Sequence, residues 1–126
     1  MNRYQTKILT AALVLFLAFS TGCYYDQVLP DGPDPGDEIS FSAQIQPIFT
    51  NTCVACHAPG GVASLLDLTE GNAYNNINNT TYINLGNPSS SLIYTKPAPN
   101  GGHGGKYNQT ESATVLQWIE QGAQNN

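Results

Sequence analysis

The chain has 126 residues, of which four are basic and nine acidic, and its formal net charge is −5 at neutral pH. It has no basic patch to neutralise phosphates, so the composition argues against nucleic-acid binding. An acidic surface fits a basic protein partner, although it also fits simple solubility.

The first 22 residues predict an export signal of the bacterial lipoprotein type. Arg3 and Lys7 precede an apolar run at 8–19 that is too short to cross a bilayer as a stable helix. The next four residues, STGC, resemble a lipoprotein processing box, in which Cys23 becomes the lipidated first residue of the mature chain. Ser20 departs from the aliphatic residue usual there, so an ordinary signal cleaved near Cys23 is the alternative. Both interpretations predict an exported protein, and the first anchors it to a bacterial membrane, facing the periplasm or the cell surface.

Residues 23–38 are predicted to be the lipidated cysteine followed by an acidic, proline-rich tether. The stretch 24–38 holds three prolines and five acidic residues with almost nothing to bury, which is typical of disorder. From Cys23 onward two lysines face nine acidic residues, a formal charge of −7. The folded domain is therefore predicted to occupy residues 39–126.

The first predicted helix lies within residues 40–52, after serine caps. Its apolar residues recur at helical spacing and predict one buried face: Phe41, Ile45, Ile48 and Phe49. Pro47 removes a backbone hydrogen bond, so this helix is expected to be short or kinked.

The middle of the domain is predicted to be rich in loops. The stretch 68–77 is interpreted as a short helix capped by Thr69, while 64–68 (SLLDL) and 81–86 (TYINLG) are interpreted as brief strands that could pair. Such a loop-rich stretch inside a compact domain usually argues against the assignment of its elements. It becomes reasonable if the loops wrap a large, rigid cofactor.

The last helix is predicted within residues 110–123. Thr110 is expected to be its N-cap, with Glu111 favourable in the first turn. The residues at helical spacing on one face are Val115, Trp118, Ile119 and Gly122.

Residues 53–57, CVACH, carry the attachment signal of a c-type haem. Each thiol adds to one vinyl group of the porphyrin, and two intervening residues on a turn bring both sulfurs to one edge. The next residue then points its imidazole at the iron. We therefore predict one covalent haem c, attached through Cys53 and Cys56, with His57 as the proximal iron ligand.

Other chemistries of these residues are less well supported. A zinc site needs four ligands, and Cys53, Cys56, His57 and His103 add up to four, but consecutive Cys56 and His57 cannot easily face one small ion. A thioredoxin-like redox pair would need a βαβ context, which is missing. The glycine run before Lys106 fails as a phosphate loop, since a tyrosine follows the lysine where Ser or Thr is required.

The stretches 40–77, 87–105 and 115–123 resemble the small single-haem cytochrome c domains of exported bacterial proteins. The resemblance covers nearly all of residues 39–123, and its most specific parts are the CxxCH and the final WI..GA. It implies a mainly α, class I cytochrome c-like fold, in which the first and last helices cross around one covalent haem, with Trp118 and Gly122 at the crossing. Many members carry a methionine after the loop that follows the SLIY-like segment. Others carry a histidine in an HGG segment there, and this sequence matches that variant.

The resemblance, together with chain order, predicts His103 as the distal iron ligand. The only methionine is Met1, and His103 is the only histidine besides His57. The four glycines around it would let the backbone approach the porphyrin face closely. The alternative is a solvent-exposed histidine in a flexible glycine loop.

These residues together predict an electron carrier rather than an enzyme. The expected protein is a lipid-anchored, periplasm-facing mono-haem cytochrome c that passes single electrons between protein partners, with two histidines on the iron and hence a low potential. If His103 does not bind, the iron is five-coordinate, and a peroxidase or a small-ligand sensor becomes the alternative. A third option is an accessory domain that positions a separate enzyme.

Overall fold

The computed structural model describes residues 2–5 and 32–126. Cys23, most of the predicted signal peptide and the first part of the predicted tether lie outside those residues. Within them, no helix is long and apolar enough to span a bilayer. The chain forms a π-helix Phe41–Ile45, α1 Gln46–Thr52, α2 Ala73–Ile77, a 3₁₀ turn Pro88–Ser90, α3 Leu92–Thr95 and α4 Gln109–Glu120. The prediction of a mainly α protein is confirmed.

The first helix is continuous but changes its hydrogen bonding next to Pro47. The Ser40 side chain accepts from the Ala43 N–H and caps the helix, as the serine pattern predicted. The Gln46 N–H donates to the Phe41 carbonyl, five residues back, and α-helical bonding follows. Pro47 has no N–H to donate, which accounts for the irregular first turns. The whole predicted apolar face is buried: Phe41, Ile45, Ile48 and Phe49.

Helix α4 begins two residues earlier than its sequence pattern suggested, so the predicted N-cap at Thr110 is wrong. Asn108 is the N-cap: its side chain accepts from the Glu111 N–H, and the Glu111 carboxylate accepts from the Asn108 N–H. This reciprocal pair satisfies two backbone donors at once, which a Thr110 cap would not.

Gly122 ends α4 rather than lying at a helix crossing. Its φ of +94° is in the left-handed region, and the only atom within 4 Å of a built Cβ belongs to Gln124. A glycine just past the last helical residue relieves the strain of that conformation. The implied role of Gly122 as the small residue of a crossing is therefore wrong.

The middle of the domain contains no strand among the described residues, so the two predicted strands, 64–68 and 81–86, are wrong. Their backbone groups bond locally or to single distant partners; the Leu68 N–H, for example, donates to the His57 carbonyl. The predicted short helix exists as α2, but Asn72 precedes it, and the Thr69 hydroxyl donates to Asp67 instead of capping. Turn hydrogen bonds thus replace the predicted ladder.

One core joins the two ends of the domain. Phe41 packs against Trp118 with ring centroids 5.4 Å apart, and both residues are buried. The first and last helical elements therefore pack together. The buried apolar residues of this core are Ile39, Phe41, Ile45, Ile48, Phe49, Cys53, Leu68, Ala73, Ile77, Ile83, Ile93, Tyr107, Val115, Trp118, Ile119 and Ala123.

Contacts with the domain begin before the predicted boundary at residue 39. The Gln117 side chain donates to the carbonyls of Asp34 and Asp37, and the Gln121 side chain also donates to Asp37. The last residues of the predicted tether are thus bound along α4.

Candidate functional site

The CVACH segment forms a tight turn directly after α1. The N–H groups of Cys56 and His57 both donate to the Cys53 carbonyl, at 3.0 and 2.9 Å. Gly61 packs against this turn, where a Cβ would collide with the Cys56 carbonyl oxygen. The internal hydrogen bonds and the contact with Gly61 hold the backbone of this turn in place. The Cα atoms that carry the two thiols and the imidazole are therefore fixed relative to one another.

The two thiols lie in different environments. Cys53 is buried and Cys56 is exposed, and they are not joined by a disulfide. Burial, with Glu111 and then Cys56 adding negative charge nearby, raises the pKa of the Cys53 thiol from 9.0 to about 11. Cys53 is therefore a neutral thiol near pH 7.

His103 lies in the glycine loop between α3 and α4, and its ring is tied to the loop backbone. Its Nδ1 is 2.8 Å from the carbonyl oxygen of Gly105. A carbonyl only accepts, so Nδ1 carries the proton, and in the neutral ring Nε2 keeps its lone pair. His103 is half-buried rather than free in solvent.

His57 and His103 come together although 46 positions separate them in the chain. Their ring centroids are 5.7 Å apart, and their planes are 14° from parallel. Two imidazoles that share one metal ion, at about 2.0–2.1 Å per metal–nitrogen bond, have centroids roughly 6 Å apart. The observed spacing is close to that value. No third His, Cys, Asp or Glu joins a metal-binding group in the described residues.

The two imidazoles line one cavity of about 370 Å³ together with Cys53. This volume lies within the roughly 300–1,000 Å³ of typical ligand pockets. Among the described residues that line it, Lys96 alone has a formal charge, and Tyr82 and Tyr107 add hydroxyl groups. Most of the remaining wall is apolar: Val62, Ala63, Leu65, Leu66, Leu68, Leu92, Ile93 and Pro97.

Several apolar side chains of this wall face solvent. Val62 is 93% exposed, Leu65 fully so, and Leu92 37%. Apolar side chains grouped in this way around an open cavity indicate a surface that a ligand or partner covers.

The four glycines beside His103 differ in how closely the rest of the protein packs against them. A Cβ on Gly105 would lie 2.8 Å from the Thr52 carbonyl oxygen, and one on Gly101 would lie 2.6 Å from the Lys96 carbonyl oxygen. Nothing lies within 4 Å of a Cβ built on Gly102 or Gly104. Two of the four glycines are thus required by contacts with the protein's own backbone.

The Nδ1 atom of His57 is buried and has no hydrogen-bond partner. A buried polar atom without a partner is uncommon and costs about 1–3 kcal/mol. His57 also lines the cavity that it shares with His103.

The sequence pattern did not identify some residues of this site. Tyr107 is buried, and its hydroxyl donates to the Ile93 carbonyl at 3.0 Å. The acceptor role of Gly105 and its contact with Thr52 had no sequence signal beyond the glycine itself. Trp118 is core, as expected, and Cys23 lies outside the described residues.

None of the family models, curated proteins or solved structures compared with this chain matches it. The interpretation of the site therefore depends on its own residues and geometry.

The residues present fit a covalent haem. Two thiols one turn apart, an imidazole next to them, and a second imidazole with its Nε2 lone pair free form the donor set of a six-coordinate c-type site. The apolar walls suit the porphyrin faces, and the Lys96 ammonium lines the same cavity, where it would pair with a propionate carboxylate of the haem.

Proposed function

We propose that this protein is a mono-haem c-type cytochrome of class I architecture that carries single electrons between protein partners. Cys53 and Cys56 would hold the haem through thioether bonds, with His57 as the proximal and His103 as the distal ligand. A lipid on Cys23 would anchor the exported chain to a membrane, facing the periplasm or the cell surface.

The observation that carries this proposal is the pairing of His57 with His103. Two histidines 46 positions apart in the chain lie with near-parallel rings 5.7 Å apart and line the same largely apolar cavity, which is the arrangement that two ligands of one metal ion need. The protonated Nδ1 of His103 leaves Nε2 as its ligating atom.

The exposed apolar side chains give independent support. Val62, Leu65 and Leu92 would lose contact with water if a flat apolar group filled the cavity. Complete burial of an exposed side chain of this size contributes about 1.5–3 kcal/mol, and Leu92, which is only 37% exposed, would contribute less. For a domain this small, such a group would add much of the core that the chain itself cannot supply.

The chain's own residues would hold and tune the haem, whose Fe(III)/Fe(II) couple supplies the one-electron chemistry. Two imidazoles favour the ferric state more than a histidine–methionine pair does, so the potential is expected to be low. With both His57 and His103 bound, the iron would be closed to small ligands. The five-coordinate alternative, a peroxidase or sensor, requires His103 to remain unbound.

The test is the electron paramagnetic resonance spectrum of the ferric, haem-loaded protein. We expect a low-spin signal typical of two imidazoles, and we expect His103→Ala to replace it with a high-spin signal. Asn100→Ala, a change at an exposed position of the same loop, is the matched control and should keep the low-spin signal.

A high-spin signal in the unmutated protein would instead indicate an open iron and support the peroxidase or sensor. His103→Met should raise the midpoint potential; an unchanged potential would count against ligation by His103.

A further inference from the structure

We infer that Gly105 is the positioning residue of the distal site, because its carbonyl sets the tautomer of His103 and its missing side chain lets the loop lie against the end of α1. This inference rests on the proposed haem function, since it concerns how a nitrogen is presented to the iron.

The first step concerns the imidazole of His103. Its Nδ1–H donates to the Gly105 carbonyl at 2.8 Å, so the ring cannot turn without losing that bond. Metal-bound histidines ordinarily donate their other ring N–H to a carbonyl or carboxylate, which fixes both tautomer and orientation. Gly105 supplies that acceptor from only two residues away.

The second step concerns the position of Gly105 itself. A Cβ at this position would lie 2.8 Å from the Thr52 carbonyl oxygen, closer than real Cβ contacts allow, and the opposing atom is backbone that cannot swing away. Gly105 does not have a positive φ, so its backbone conformation suits alanine as well as glycine. The steric contact with the Thr52 carbonyl oxygen is what would destabilise the Gly105→Ala variant.

The contact links the two halves of the site. Thr52 is the last residue of α1 and immediately precedes Cys53, the first haem-attaching cysteine. The loop that carries the distal ligand therefore rests on the backbone that carries the proximal attachment. An enlarged residue 105 would push the loop, and His103 with it, away from His57.

The experiment compares Gly105→Ala with Gly104→Ala in the haem-loaded protein. Both changes add one methyl group beside His103 at positions without positive φ, but a Cβ on Gly104 meets nothing within 4 Å. Cyanide, which competes with the distal histidine for ferric iron, is the probe. Disturbing a group that orients a metal-bound histidine weakens ligation by about 10- to 100-fold. Because the loop would be displaced in Gly105→Ala, this variant should bind cyanide roughly that much more tightly than Gly104→Ala, with a larger high-spin fraction.

Equal cyanide affinity for the two glycine variants would overturn the inference. If Gly105→Ala yields no haem-loaded protein, the deciding measurement is proton exchange in the reduced, unmutated protein by nuclear magnetic resonance. A slowly exchanging His103 Nδ1 proton supports the bond to Gly105, and rapid exchange rejects it.

The failure of this inference is distinguishable from failure of the proposed function. If His103→Ala changes the spectrum while Gly105→Ala behaves like Gly104→Ala, only the role of Gly105 is lost. If His103→Ala leaves the electron paramagnetic resonance spectrum unchanged, His103 is not a ligand of the iron, and both the proposed two-histidine site and this inference are wrong.

Discussion

Tyr107 illustrates how a single side chain can contribute to both the core and the site. Its ring lines the cavity, its hydroxyl donates to the Ile93 carbonyl, and its N–H donates to the Pro97 carbonyl. It therefore joins the segment after α3 to the start of α4. Burial raises the pKa of Tyr107 well above 10.0, with the nearby Cys53 and Glu111 adding to the shift.

The raised pKa predicts loss of stability at alkaline pH. Below pH 10 both folded and unfolded chains keep the phenol neutral, so it adds no pH dependence. As pH rises above 10, the unfolded chain ionises while the folded one resists, and the free energy of unfolding falls. Tyr107→Phe should reduce this alkaline slope in urea unfolding, leaving the part that the raised pKa of the Cys53 thiol contributes. At neutral pH it should cost about 1–3 kcal/mol, since the Ile93 carbonyl loses its donor.

Tyr74→Phe is the matched control for that experiment. The Tyr74 hydroxyl also donates to a backbone carbonyl, that of Ala123. This variant should lose stability at neutral pH but keep the alkaline slope. If the slope persisted unchanged in Tyr107→Phe, another group would be its source.

At the scale of elements, α4 depends on a capping box that ties it to the loop before it. Asn108 and Glu111 exchange two hydrogen bonds, both at 2.8 Å. The box lies just after Tyr107 and five residues after His103, so it fixes where the glycine loop ends. A frayed α4 would loosen the loop as well as the helix.

Asn108→Ala should therefore destabilise the protein by about 0.5–2 kcal/mol, the usual cost of losing an N-cap. Thr110→Ala, at the position that the sequence pattern favoured, should have little effect because its side chain is exposed and makes no cap bond. Thermal unfolding of both variants measures the difference. A larger loss from Thr110→Ala would reverse the assignment of the cap.

At the scale of the whole molecule, the last residues of the chain return to the first helix. The Asn126 side chain accepts from the Phe41 N–H, and the Asn126 carbonyl accepts from the Ser42 N–H. These bonds satisfy donors that a helix start otherwise leaves unpaired. Together with the Phe41–Trp118 contact, they close the domain on the side that the cavity residues do not line.

Asn126→Ala should cost about 0.5–1.5 kcal/mol in urea unfolding, because the Phe41 N–H loses its acceptor. Asn125→Ala is the matched control, since Asn125 is the exposed neighbour of the same residue type. Neither residue lines the cavity that His57 and His103 share, so neither change should alter the haem spectrum. Equal stability of the two variants would show that the Asn126 side chain does not stabilise the first helix.

The sequence by itself determined the CVACH motif and the existence of the first and last helices. Cys53, Cys56 and His57 form a local motif with a fixed spacing, and the apolar periodicity of 40–52 and 110–123 predicted the two helices that pack together. Local patterns of this kind can be read from a chain because each depends only on neighbours within a few residues.

Only the tertiary structure decided what depends on distant contacts. It brought His103 to His57, set Gly105 against Thr52 and buried Tyr107. It also replaced the two predicted strands with turns. The strand preference of a short apolar segment is weak, and packing overrides it. Contacts between residues some fifty positions apart leave no periodic pattern in the sequence. The role of His103 was therefore predictable only from its residue type and from its place in the chain after the CVACH motif.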